Sequence, residues 1–367
     1  MISTESRVYI AGHTGLVGSA IYRKLKEKGY KNIIARTIEE LNLMDSTATE
    51  EFFKEEKPEY VIVAAAKVGG IMANNLYRAD FLYENLLIQN NIIYQCYKNK
   101  IRKLIFLGSS CIYPKNAPQP LKENYLLTSE LEYTNEPYAI AKITGIKLCE
   151  AFNLQYGTNF IAIMPTNLYG PGDNFDLEKS HVFPAIIRKL HLGKCLHTND
   201  WEQIRKDFNK YPVEGISGKS PESDILGKLN KYGIRRTNNT ASVLFWGTGS
   251  PKREFMHSSD LATACLFVLE NLDFKDLVDD PAKFERVVKD IRNTHLNIGT
   301  GKDITIRELV DLAKGIIGYE GVIEWDHKMP DGTEQKLMDV SKINALGWKA
   351  SISLPEGLKM VYSWYKQ

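Results

Sequence analysis

The chain has 367 residues, 43% of them apolar and 25% charged, an ordinary globular composition with room for two domains. Its 47 basic and 45 acidic residues leave a formal charge of +2, which gives no electrostatic case for nucleic acid or an anionic membrane surface. No run of about 18 apolar residues predicts a bilayer span, and the first residues lack the basic flank of a signal peptide, so a cytoplasmic location is expected. In chain order, Arg7–Ala11 reads as a short apolar strand, Gly12–Gly18 as a glycine-rich turn, and 19–29 as an amphipathic helix stopped by Gly29. Further apolar strands are predicted at 32–35, 60–64, 103–107 and 159–163, with helices at 46–56, 80–98 and 137–155. Continuously apolar strands alternating with helices predict an α/β fold around a Rossmann-type, doubly wound parallel sheet. Ligands of such sheets sit at the carboxyl ends of the strands.

After Pro165 the rhythm changes. A turn-rich stretch at 167–174 precedes a helix at 181–193. Residues 199–240 are polar and weakly periodic; they read as an insertion, partly helical over 223–229 or partly mobile. Strand character returns at 243–246, followed by a helix at 260–272 and a charged, helical-looking segment at 275–292. A strand at 296–299, a helix at 305–318 capped by Thr305 and a last helix at 354–364 complete the chain. The five cysteines are widely spaced, with no C-x-x-C pair, so neither a zinc site nor a redox dithiol is expected and no metal is implied.

Chemistry concentrates at three places. Gly12, Gly15 and Gly18 stand between a strand and a helix, where a tight turn, close approach of a pyrophosphate and helix–strand packing each call for glycine. The helix N-terminus then offers free N–H groups to the anion. Arg36, at the end of the second strand, favours the 2′-phosphate of NADP over the 2′-hydroxyl of NAD. Asp45 suits either the adenine edge or the N-cap of the next helix. Tyr138 and Lys142, four apart on a helix, share one face, and a neighbouring ammonium is expected to lower the phenol's pKa and make Tyr138 a proton shuttle. The polar run Gly108–Pro114 ends the fourth strand, where Ser109 is placed to polarise a carbonyl.

Together these features resemble the extended short-chain dehydrogenase/reductases. Longer strings resemble the GDP-L-fucose synthase family, the GDP-4-keto-6-deoxy-mannose 3,5-epimerase/4-reductases: 64–71, 108–114, 134–142, 164–171, 173–175, 180–182, 253–255, and 330–333 with Lys336. The resemblance covers nearly the whole chain except roughly 195–240. It implies NADPH/NADP bound by Gly12, Thr14, Gly15, Leu16, Val17, Gly18, Arg36, Asn42, Leu43, Ala64, Ala65, Ala66, Leu107, Gly108, Lys142, Pro165, Asn167, Leu168 and His181. It implies a reductase set of Ser109, Tyr138 and Lys142, and an epimerase pair of Cys111 and His181. Ser110, Asn167, Lys189, Trp246, Arg253, Asp331 and Lys336 are the implied contacts of a GDP-linked 4-keto sugar. It also implies a homodimer and a place in nucleotide-sugar biosynthesis. The dinucleotide-binding domain is expected at 1–170 and about 258–300, with a smaller α/β substrate domain at about 171–257 and 301–367.

The residues suit those roles. A C4 ketone acidifies the protons on C3 and C5, which Cys111 and His181 can remove and return as a base–acid pair, the thiolate being favoured by an imidazolium. Lys189 and Arg253 suit a diphosphate, and Trp246 suits a guanine or sugar face. Two departures stand out. Thr14 and Ile38 occupy positions where the family usually carries basic residues, leaving Arg36 with more of the 2′-phosphate. The segment 195–240 separates Lys189 from Trp246, so it either reshapes the sugar end of the pocket or forms a distant surface or oligomer element. Two alternatives follow: C4 reduction alone, on another GDP-4-keto sugar such as a heptose, or a non-catalytic dinucleotide-binding regulator. Joint retention of Ser109, Tyr138 and Lys142 disfavours the regulator. A dehydratase would need an acidic pair beside the serine, which Ser109–Cys111 lacks.

Overall fold

A computed structural model describes residues 2–237, 240–285, 290–329 and 331–367. Pro330 of the string 330–333, and 286–289 of the segment 275–292, lie outside the described residues. The chain divides into two units. The first comprises Met1–Gly172, Glu254–Lys302 and Leu337–Ile352; the second comprises Asp173–Arg253, Asp303–Lys336 and Ser353–Gln367.

The first unit is built on β1 (Val8–Ala11), β2 (Ile33–Arg36), β3 (Tyr60–Val63), β4 (Lys103–Leu107), β5 (Phe160–Pro165) and the strand Leu296–Ile298. They form a six-stranded parallel sheet in the order Leu296–Ile298, β5, β4, β3, β1, β2. Every residue of β1, β3, β4 and β5 is buried, as a sheet covered on both faces requires. Side chains alternate between two cores. Val8, Ile10, Ile62, Ile105 and Ile161 pack with Ile21 and Leu25 of α1 (Leu16–Glu27) and with Leu261, Leu266 and Leu269 of the helix Ser258–Asn271. On the opposite face Tyr9, Val61, Val63, Leu104 and Phe106 meet Phe52 and Phe53 of α2 (Ser46–Glu56) and the helices Arg78–Lys98 and Glu136–Tyr156. The chain goes from β1 to β2 on one side and to β3 on the other, so the strand order reverses at β1, the place where such sheets open a ligand crevice.

Residues 337–352, which the sequence reading placed in the smaller domain, belong to the first unit. The buried Asp260 carboxylate accepts from Ser351 N, Ser351 Oγ and Ile352 N, which ties that segment down.

In the second unit the strand Thr240–Trp246 lies between Ile234–Thr237, antiparallel to it, and Val322–Asp326, parallel to it. The helix Ile306–Ile317 opens with a reciprocal capping box between Thr305 and Glu308, as its sequence predicts. The helix expected at 223–229 appears as Glu222–Lys231, and the described part of the insertion adds the helix Trp201–Lys210 and the strand Ile234–Thr237, which together bury Ile204, Phe208, Ile225, Leu229 and Ile234. Trp201, Ile204 and Phe208 stand at i, i+3 and i+7, one apolar stripe on an otherwise charged helix, and Ile225 and Leu229 at i, i+4 give the second helix its buried face. The segment 275–292 is not a helix in its described part but two short 3-10 turns, Phe274–Leu277 and Pro281–Glu285. Among the described residues no helix is long and apolar enough to cross a membrane.

Candidate functional site

Because the sheet is parallel, the turns after β1, β3, β4 and β5 emerge at one edge. The turn after β1 carries the three glycines, and their reasons differ. Gly12 has φ +83°, and a Cβ there would lie 2.7 Å from the backbone of Ala65. A Cβ on Gly18 would lie 2.0 Å from the Gly12 carbonyl oxygen. Both glycines are required by the fold. Gly15 is not: its Cβ would find nothing nearer than 3.7 Å, and its φ of −76° suits any residue. It caps α1 with no side-chain bond, so the first turn of α1 keeps its amide donors for another acceptor. Thr14 and Gly15 are exposed, while Leu16 and Val17 are half-buried. This cradle fits a dinucleotide pyrophosphate: an open glycine, an uncapped helix and the strand-order reversal coincide.

Around it, Ala64 N donates to the Ala11 carbonyl at 3.0 Å, and Ala64, Ala65 and Ala66 are half-buried beyond β3. Arg36 ends β2 but is not free. Its guanidinium pairs with Glu56, which also holds Arg7 at 3.2 Å, and lies 5.8 Å from the Phe52 ring. Asn42 Oδ1 accepts from Met44 N at 3.1 Å, and the Leu43 carbonyl accepts from Asn91 Nδ2 at 2.9 Å. Asp45 is the N-cap of α2, accepting from Thr47 N and Ala48 N. Pro165 ends β5; Asn167 and Leu168 follow in the strand Asn167–Tyr169, paired with Phe255 and Met256, and Asn167 Nδ2 donates to the Glu254 carbonyl at 2.9 Å.

Beyond β4, Gly108 leads into a 3-10 turn over Ser110–Ile112. Ser109 caps it, its Oγ accepting from Cys111 N at 3.4 Å, and Ser110 and Cys111 are buried. Lys142 is fully inside; its Nζ donates to the Leu107 carbonyl at 2.8 Å and lies 5.7 Å from the centre of the Tyr138 ring. Burial lowers the Lys142 ammonium to about 8, with Cys111 acting weakly in the other direction. Tyr138 departs from expectation. Its phenol is pushed up, first by burial and then by the proximity of Cys111, so these surroundings do not pre-ionise it.

In the second unit, His181 caps the helix Val182–His197 with no side-chain cap bond and is exposed. Cys111 belongs to the first unit. Lys189 Nζ donates to the Leu244 carbonyl at 2.9 Å, and burial lowers its amine to about 8. Arg253 Nη1 donates to the Lys252 carbonyl at 2.7 Å, and burial lowers its guanidinium too. Neither cation has a carboxylate partner among the described residues. Trp246 is 63% exposed at the end of its strand. Asp331 is occupied, its carboxylate accepting from Thr248 N and Thr248 Oγ1 at 2.9 and 2.7 Å. Lys336 pairs with Arg253 in strand register.

The sequence reading gave no role to Asp173, whose buried Oδ2 has no hydrogen-bond partner among the described residues; burial raises its carboxyl to about 7. Nor did it single out Glu254, 0% exposed, which accepts from Gly301 N and Met338 N at 2.8 Å each. Among the described residues no cluster of His, Cys, Asp and Glu has the geometry of a metal site.

Comparisons with known proteins fit this arrangement. The profile of the NAD dependent epimerase/dehydratase family matches residues 8–208 and 213–280. GDP-L-fucose synthase 1 of Arabidopsis thaliana is 46% identical over 365 residues, covering 100% of this chain and 94% of that protein. The crystal structure of a GDP-6-OMe-4-keto-L-xylo-heptose reductase from C. jejuni superposes with a TM-score of 0.90 at 44% identity, covering 100% of this chain and 99% of that one. MlghC, a GDP-mannoheptose C4 reductase from Campylobacter jejuni with NADP bound, gives 0.85 at 43% identity and covers 100% of both chains.

Proposed function

The chain belongs to the NAD dependent epimerase/dehydratase family, and from that membership we propose that it is an NADPH-dependent reductase acting at C4 of a GDP-linked 4-keto sugar, with 3,5-epimerase capacity. The observation that carries the reading is the shared edge. The open cradle at Gly15, the Ser109 turn and the Lys142 ammonium all stand at the carboxyl ends of parallel strands.

NADPH, when bound, supplies the hydride for C4. The chain's own groups do the rest. The amides of the first turn of α1 hold the pyrophosphate, and Arg36 exchanges Glu56 for the 2′-phosphate. Cys111 and His181 remove and return the acidified protons on C3 and C5 before reduction. Ser109 donates to the C4 carbonyl oxygen. Tyr138 then delivers its phenolic proton to that oxygen, and Lys142, tethered to the Leu107 carbonyl, stabilises the phenolate left behind. A phenol kept protonated by burial is the form this step consumes. Lys189 and Arg253, without carboxylate partners among the described residues, take the diphosphate, and the exposed Trp246 ring offers a face to the base. Exposed Tyr83, Tyr94, Ile140 and Tyr156 on the helices Arg78–Lys98 and Glu136–Tyr156 support association of two copies, and a cytoplasmic location is part of the same proposal.

A second reading, C4 reduction of a GDP-4-keto-heptose without epimerisation, is favoured by the end-to-end match to two heptose reductases. Both are tested by incubation with NADPH in D2O, once with GDP-4-keto-6-deoxy-mannose and once with a GDP-4-keto-heptose, followed by NMR. Reduced product carrying deuterium at C3 and C5 is the expected result. Reduction without deuterium selects the second reading. NADPH left unoxidised by both sugars refutes the enzyme.

A further inference from the structure

The insertion separates Lys189 from Trp246 in sequence and is bonded to the neighbourhood of both. Its strand Ile234–Thr237 runs antiparallel to Thr240–Trp246, with Ile234 opposite Val243 and Thr237 opposite Thr240. The Gly233 carbonyl accepts from Leu244 N at 2.7 Å, and the Leu244 carbonyl accepts from Lys189 Nζ at 2.9 Å. One peptide residue is thus gripped by the insertion through its N–H and by Lys189 through its oxygen, two residues before Trp246.

The second attachment is the residue preceding Lys189. Arg188 is 0% exposed. Its Nε and Nη2 donate to Asp207 Oδ1 of the insertion at 3.0 and 2.8 Å, and Nη2 also reaches the Tyr211 carbonyl at 2.5 Å. Nη1 donates to the Phe175 carbonyl at 3.0 Å, in the loop that leads to His181. Tyr365 donates its hydroxyl proton to the other Asp207 oxygen. A buried ion pair with its donors engaged contributes little net stability against an apolar replacement, but it fixes geometry, since any shift leaves a charge unpaired. Here the geometry fixed is that of the helix turn presenting Lys189.

We propose that the insertion is the positioning element of the sugar-nucleotide site: Asp207 acting through Arg188, and the strand Ile234–Thr237 acting through Leu244, set where Lys189 and Trp246 meet the diphosphate and base of a GDP-sugar. Arg188 and Asp207 are positioning residues that touch no ligand. The assignment rests on the substrate reading above.

GDP is the probe. It is titrated calorimetrically into full-length, NADPH-saturated wild type, Asp207→Asn and Tyr365→Phe, with NADPH titrated separately into each. Asp207→Asn is expected to weaken GDP at least tenfold and Tyr365→Phe by a smaller factor. NADPH affinity stays within twofold in both, because these residues all belong to the second unit. A merely structural role loses both ligands together or neither, and either pattern overturns the assignment. Should Asp207→Asn not fold, Tyr365→Phe decides, since it removes one hydrogen bond and leaves the ion pair; GDP binding equal to wild type then refutes the positioning role. Wild type that binds NADPH but not GDP refutes the substrate reading itself, and this assignment with it, a result separate from any variant's.

Discussion

Gly15 and Gly18 lie three residues apart in one loop and make opposite predictions. A Cβ at Gly18 would stand 2.0 Å from the Gly12 carbonyl oxygen and 2.8 Å from His13 Cα, both backbone, so Gly18→Ala must displace the turn. Overpacking of that kind costs about 1–3 kcal/mol or more. At Gly15 the nearest atom is 3.7 Å away and the backbone is already extended. Gly15→Ala gains about 0.4–1 kcal/mol from a stiffer unfolded chain and loses a similar amount because alanine is a poor N-cap, so its stability should stay within about 1 kcal/mol of wild type. A methyl there nonetheless keeps a pyrophosphate from the helix amides. Loss of one charge-assisted hydrogen bond, about 1.5–3 kcal/mol, weakens NADPH by about ten- to a hundredfold at 1.4 kcal/mol per decade. Urea unfolding and NADPH fluorescence titration read the two quantities separately. Gly15→Ala that folds normally and binds NADPH as tightly as wild type would refute the placement of the cradle.

Three further outcomes are expected. Burial holds Lys142 near 8, well below its ordinary 10.5. Between those values the unfolded chain binds the extra proton, so this group makes stability rise with pH across that window, the burden of the buried ammonium being greatest below about 8. If the ammonium is the working form, kcat/KM for reduction falls above about pH 8. Lys142→Arg, charged throughout, should lose that alkaline limb, and an unchanged limb would assign it elsewhere. Cys111→Ser should abolish deuterium incorporation at C3 and C5, followed by NMR, while C4 reduction of an already epimerised keto sugar persists; exchange at the wild-type rate would exclude Cys111 as the base. Glu254→Ala leaves the buried Met338 amide unpaired, at about 1–3 kcal/mol, while the half-buried Thr300 and exposed Gly301 amides can turn to water. A urea-measured loss below about 1 kcal/mol would mean that the Met338 amide finds another partner.

What was legible in the sequence was local. The glycine spacing, the Thr305 cap and the alternation of strands with helices depend on neighbours within a few residues, and they appear as expected. What failed required distant partners. The i, i+4 spacing of Tyr138 and Lys142 suggested an ammonium lowering a phenol; burial, which no local spacing encodes, raises it instead. Arg36 reads as available from its place at the end of β2, but Glu56, at the far end of α2, pairs with it. Asp45 had two readings, and two backbone amides identify it as a cap.

The sharpest case is a pair of dipeptides. Arg188–Lys189 and Arg253–Glu254 each set two ionisable residues side by side, and nothing in their order says which faces a ligand. Successive residues point about 100° apart on a helix and about 180° apart on a strand, so one of each pair is turned into the core. Arg188 and Glu254 are 0% exposed, and the fold engages them with at least three groups each. Lys189 and Arg253 are half-buried, bonded to a carbonyl each, and lowered by desolvation with no carboxylate to offset it among the described residues. A cation held partly out of water without a counter-ion costs free energy that an arriving anion recovers. Counting partners therefore separates the residue that the fold engages from the residue proposed to take the diphosphate, a distinction that residue type and spacing alone cannot draw.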